Sequence, residues 1–180
     1  MHMTRIRALA VVGTLAVSAI VLVVITLSKD TQTSGAEAEL CKPGHVPVSL
    51  TMPDEPAVNI NVFNATQTQG LGAAVGADFR NRKFNVVKIE GEKVNGQDTY
   101  HPEVVAIIRY GPKTVGAAHL VRAYFLTDAR MQFDLKREDD VIDVVIGGKY
   151  KTLATPTEMR QAVALLGHPT LPPGTCEKKS

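Results

Sequence analysis

Arg109 is the charge in this chain whose position most suggests a ligand. It follows five apolar residues, Val104-Val105-Ala106-Ile107-Ile108, and so ends a stretch that reads as a buried strand. Ligands of open parallel sheets tend to bind at such strand ends. A guanidinium there can hold a phosphate or carboxylate of an anionic lipid or polymer. A salt bridge to a carboxylate such as Asp143 would use the same donors structurally. Tyr110, next in the chain, and Asn64, which ends an earlier strand, complete the candidate ligand-binding residues.

Other chemistries find less support. Gly70-x-Gly72-x-x-x-Gly76, with Glu90 further on, resembles a dinucleotide fingerprint. The loop from Asn64 to Gly70 sets the first glycine too far from its strand, so the glycines are read as permitting close helix–sheet packing. His2, His45, His101, His119 and His168 are scattered, without His-x-x-x-His or Glu-x-x-His spacing, so no metal is expected. No G-x-S-x-G occurs. No catalytic residue and no cofactor is therefore assigned. Asn64-Ala65-Thr66 matches a glycosylation sequon but reads as a turn. Cys41 and Cys176 lack neighbours at metal-ligand spacing; in an oxidising compartment they would form one disulfide, the alternative being two free thiols.

The compartment follows from residues 8–27, ALAVVGTLAVSAIVLVVITL, twenty residues without a charge. At about 1.5 Å per residue they span a hydrocarbon core of about 30 Å. Arg5 and Arg7 precede the run, and Lys29, Asp30, Glu37 and Glu39 follow it, which orients the N-terminus to the cytoplasm. The alternative is a signal peptide cleaved near Gly35-Ala36-Glu37-Ala38, but the run exceeds a typical h-region. The expected organisation is residues 1–7 cytoplasmic, 8–27 transmembrane, 28–56 an extracytoplasmic linker, 57–150 a globular domain, and 151–180 a C-terminal helix and tail. Of the 20 Lys and Arg residues, Arg5 and Arg7 lie before the run, so 18 basic residues beyond it balance 18 acidic ones. Such neutrality offers no field for a phosphate backbone, and nucleic acid is not an expected partner.

The elements that must position these residues come next. Val58, Ile60 and Val62 alternate with Asn59 and Asn61, the period of a half-buried strand. Leu71, Val75, Phe79 and Arg82 recur at helical spacing, with Gly72, Ala73, Ala74 and Gly76 keeping one side small. Residues 84–90 read as a second strand, and 91–102 as a turn-rich connection. The apolar run 104–108 reads as a central strand covered on both faces. A helix over about 114–126, a strand around Met131 and Phe133, and a last strand over 141–146 follow. Leu71-Gly72-Ala73-Ala74 and Val115-Gly116-Ala117-Ala118 form a faint repeat, so each half reads as strand–helix–strand. Two such units and a closing strand predict a small α/β sandwich with a mixed, mainly parallel sheet, behind one transmembrane helix. In the tail, Thr155, Pro156 and Glu158 start a helix that Gly167 and Pro169 stop, with Met159, Val163 and Leu166 expected to pack on the sheet. Val46, Val48 and Leu50 alternate as a short edge strand would.

Val58-Asn59-Ile60-Asn61-Val62-Phe63-Asn64-Ala65-Thr66, followed by Gly70-Leu71 and an Ala-rich helix, resembles the opening of the LytR C-terminal domain family. Ala65 stands where that family usually has the glycine of an Asn-Gly-Thr-like turn. Ile108-Arg109-Tyr110-Gly111-Pro112 and Val144-Val145-Ile146-Gly147-Gly148-Lys149-Tyr150 resemble its later strand ends. The resemblance implies a non-catalytic, membrane-tethered module that maintains envelope integrity and supports virulence. Its expected partners are the membrane, through the N-terminal helix, and an envelope lipid, wall polymer or protein. Larger wall-polymer ligases that carry this domain also have a catalytic phosphotransferase domain, and their chemistry does not transfer. An envelope-polymer hydrolase or transferase, or its accessory subunit, is the alternative; convergent carboxylates or a Ser–His pair in a pocket would favour it.

Overall fold

A five-stranded mixed sheet carries the domain, its strands lying side by side in the order Asn85–Gly91, Asn59–Asn64, Val141–Ile146, Ala106–Tyr110 and Arg130–Phe133. The computed structural model describes residues 41–178. The apolar run 8–27 lies outside the described residues, and no helix among those described is long and apolar enough to cross a membrane.

β1 (Val46–Val48) opens the described chain. β2 (Asn59–Asn64), α1 (Leu71–Asn81) and β3 (Asn85–Gly91) form the first strand–helix–strand unit, with β2 and β3 parallel. A small hairpin, β4 (Lys93–Val94) and β5 (Gln97–Asp98), leads to the second unit of β6 (Ala106–Tyr110), α2 (Val115–Ala123) and β7 (Arg130–Phe133), again parallel. β8 (Val141–Ile146) closes the sheet by inserting between the units, parallel to β2 and antiparallel to β6. The middle strand is thus β8. The run expected at the centre lies beside it, with Ala106, Ile107 and Ile108 fully buried.

Apolar alternates of the strands fill one face. Ile60, Val62, Ile108, Ile142 and Val144 meet Val75 and Phe79 of α1 and Ala118 and Val121 of α2 in one core. The glycines of α1 act as expected: a Cβ on Gly76 would overlap the Ile89 side chain of β3, and one on Gly72 would stand 3.2 Å from the Cβ of Asn64. Only these two members of the small side face the sheet, since Ala73 and Ala74 are exposed. Gly70 enters the helix at φ 75°, a conformation glycine adopts without a Cβ penalty.

One expectation needs correction. The tail helix α3 (Pro156–Leu166) starts with the expected capping box, in which the Thr155 N–H donates to Glu158 Oε2 at 2.8 Å. It packs on α2 rather than on the sheet, burying Ala162 and leaving Leu165 85% exposed. The reason is room, because α1 and α2 already cover the sheet's apolar face. The alternating segment near Val46 does form a short strand, over Val46–Val48, with Leu50 outside it. β1 pairs parallel with β9 (Thr175–Glu177) in a separate two-stranded sheet. The Cys41–Cys176 disulfide lies beside that pairing, its Cα atoms 5.5 Å apart.

Candidate functional site

The second face of the sheet carries a polar row through all five strands. Residues paired across neighbouring strands share a face. The register sets Lys88 of β3 beside Asn61 of β2, Asn61 beside Asp143 of β8, Asp143 beside Arg109 of β6, and Arg109 beside Gln132 of β7. Asn61, Asp143 and Arg109 each lie between apolar residues that join the core under the helices, so the period of two that builds the core also builds this row.

The row is knit by hydrogen bonds. The Asn61 amide donates to Asp143 Oδ1 at 2.8 Å, and Arg137 Nη1 donates to Asp143 Oδ2 at 2.7 Å. Arg137 Nε reaches Asp139 at 2.7 Å. Burial works to raise the Asp139 carboxyl, but the hydrogen bonds from Arg137 and the Val141 N–H outweigh it and hold the group below its ordinary range. Arg109 Nε donates to Gln132 at 3.2 Å, and its Nη2 meets Glu92 Oε1 at 2.8 Å. Lys88 pairs with Glu90 at 2.8 Å and sits over the Phe63 ring, 5.6 Å from its centroid. Phe63, Lys88, Glu90, Gly91, Glu92 and Lys93 line an open groove of about 570 Å³ at the β3 side.

One part of this face is covered. Ala65, Ile107 and Val145, with Phe63 and Val104, form a second small apolar cluster. The segment between β3 and β6 is stitched down there, with the Glu92 N–H donating to Asn64 O and the His101 N–H to Ala65 O. Gly147 and Gly148 let it come close, since a Cβ on either would run into Val104 or Pro102 backbone. Glu92 is only 4% exposed, whereas a third of the Arg109 side chain is open. Arg109 therefore clips the covering segment to the sheet. The carboxylate expected for it, Asp143, is taken by Arg137 and Asn61.

The three residues singled out from sequence do not converge. Asn64 stands at the far end of β2, on the helix side. Its Oδ1 accepts from the Thr66 N–H at 3.1 Å and the Thr66 hydroxyl at 2.7 Å, and its amide donates to Thr68 O at 2.9 Å, which shapes the loop into α1. Tyr110 lies at the opposite end of the sheet, also turned to the helices, 5.4 Å from the Phe133 ring. Burial holds its hydroxyl above the ordinary phenol value. Only Arg109 belongs to the polar row. Asn61, Lys88, Gln132 and Glu92 were missed, although the alternation of Asn61 and Gln132 with apolar neighbours marked them as one side of their strands. Among the described residues, no group of three His, Cys, Asp or Glu could hold a metal ion.

Three comparisons bear on this arrangement. No curated protein matches the chain at a significant level. The fold is similar to the crystal structure of the soluble domain of a conserved hypothetical secreted protein from Mycobacterium marinum. The two are 20% identical, with a TM-score of 0.53 over 77% of this chain and 92% of that one. The LytR_C family, described as LytR cell envelope-related transcriptional attenuator, matches residues 57–150, more than half of the sequence, and the chain belongs to that family.

Proposed function

We propose that this chain is a non-catalytic, membrane-anchored extracytoplasmic module that maintains envelope integrity, and through it supports virulence, by holding a wall polymer on the open face of its sheet. The observation that carries the reading is the polar row. Amide, carboxylate and guanidinium groups cross five strands beside the Phe63 ring, and most of their charges are already paired. Fixed, neutralised donors and acceptors with an adjacent aromatic ring suit a hydroxyl-rich chain better than an isolated anion. Membership in an envelope-related family supports the location, and the apolar run 8–27 supports the anchor.

The test is co-sedimentation of the full chain, in mild detergent, with isolated wall polysaccharide and, separately, with anionic lipid vesicles. Binding to the polysaccharide should weaken about tenfold in Phe63→Ala and Asn61→Ala. Binding to vesicles alone, or unchanged binding in both variants, would overturn the assignment to this face. Release of shortened polymer would instead favour a hydrolase or transferase.

A further inference from the structure

The sheet ends on β3, and among the described residues no strand pairs with its outer side. We propose that two copies of this chain pair antiparallel through β3, about a two-fold axis at Ile89, to join their sheets into one of ten strands.

Backbone direction limits how such a pairing can form. The Asn85 N–H donates to Val58 O, and the Glu92 N–H donates to Asn64 O, so residues bonded inward to β2 switch from odd to even along β3. The switch falls at a bulge, where Ile60 pairs with Val86 but Asn61 with Lys88. Val87, the residue left over, is 60% exposed. Beyond it Lys88, Glu90 and Glu92 direct their amides to β2, and Ile89 and Gly91 direct theirs outward. An antiparallel partner must set outward residues against outward residues.

Charge then selects one register. Val87 against Ile89 of the second copy would place Lys88 against Lys88, and Ile89 against Gly91 would place Glu90 against Glu90. Ile89 against Ile89 places Lys88 of each copy against Glu90 of the other, and opposite charges directly across a pair are favourable. Both side chains are about half exposed and available for it.

The helix layer leaves room. α1 lies over β2 and β3, with Gly76 against Ile89. With strands about 4.8 Å apart, the two copies of α1 would run about 10 Å apart, the ordinary distance of packed helices. α1 exposes Ala73, Ala74 and Ala77, which allow that approach. On the other face the Phe63–Lys88–Glu90 grooves would meet at the axis. The pairing stands on the strand edge and does not depend on what the grooves hold.

The experiment uses the full chain in detergent micelles, with mass measured by sedimentation. Wild type should be dimeric. Lys88→Glu alone and Glu90→Lys alone should each be monomeric at concentrations tenfold above the wild-type midpoint, with melting temperatures near wild type. Mixing the two variants should restore a dimer, because each copy then supplies the charge its partner needs. A monomeric wild type, a dimer indifferent to either reversal, or a mixture that stays monomeric would overturn the proposal. Should either reversal impair folding, Lys88→Gln and Glu90→Gln replace them, and dimers of unchanged affinity in both would overturn it equally.

Discussion

At the scale of single residues, the pair Arg109–Glu92 holds the most consequence. A carboxylate only 4% exposed needs a partner, and the described structure supplies one guanidinium at 2.8 Å. Arg109→Glu would set two carboxylates against each other beneath the segment that covers Ile107 and Val145. We expect it to cost about 2 kcal/mol, below the 3–5 kcal/mol of a fully buried pair because a third of Arg109 meets solvent. Arg109→Glu combined with Glu92→Arg should recover part of that loss. Urea titration measures both, and a single reversal as stable as wild type would remove the clip from the account. The place of Arg109 at the end of a buried strand was legible from the five apolar residues before it. Its partner was not, because Glu92 sits in a turn-rich stretch where no periodicity tells which residue folds inward.

At the scale of elements, the faint repeat at Gly72 and Gly116 correctly announced two strand–helix–strand units. Those patterns are local: a period of two, a period near 3.6, and turns between them. The insertion of β8 between the units depends instead on its pairing with β2, in which Asn61 meets Asp143 across 82 residues of sequence, and no local pattern encodes that. The docking of α3 was misjudged for the same reason, since an apolar stripe does not say which neighbour it meets. That docking has a testable pH signature. His119 of α2 is nearly buried, and its Nε2 lies 2.9 Å from the carbonyl of Gly167, the residue that ends α3. Burial pulls its pKa below the ordinary 6.5, the Gly167 bond works the other way, and the charges of Arg122 and His168 add to the lowering. With the folded value below the unfolded one, the unfolded chain binds the proton more readily. Stability present above about pH 6.5 is therefore lost as pH falls towards the folded value. Melting temperature should decline on acidification through that window, and His119→Gln should flatten the decline. An equal slope in both proteins would assign the effect to another group.

At the scale of the whole molecule, the segment before β2 behaves as a strap closed by the disulfide. β1 and β9 share three residue pairs, too few to persist alone, as a two-stranded ribbon is marginal in water. Further along, the strap is held by the Tyr124 hydroxyl, which donates to Glu55 at 2.8 Å. It also runs so close to α2 that a Cβ on Gly116 would overlap the Thr51 carbonyl. The bond from Cys41 to Cys176 spans 135 residues of sequence. In the chain-entropy description, closing such a loop removes about 5 kcal/mol of freedom from the unfolded chain. Two responses to Cys41→Ser with Cys176→Ser follow from these contacts. Global stability should fall by up to that amount, read as a lower denaturant midpoint. Amide exchange should also accelerate first at Val46, Val48 and Lys178, while Val62 and Val144 in the sheet keep their protection, because the strap's own hydrogen bonds are few and the core's are not. An unchanged midpoint with unchanged exchange would mean that the strap is held by its packing on α2 alone. Loss of protection in β2 and β8 together with β1 would mean that strap and sheet unfold as one unit, with the disulfide closing the whole domain.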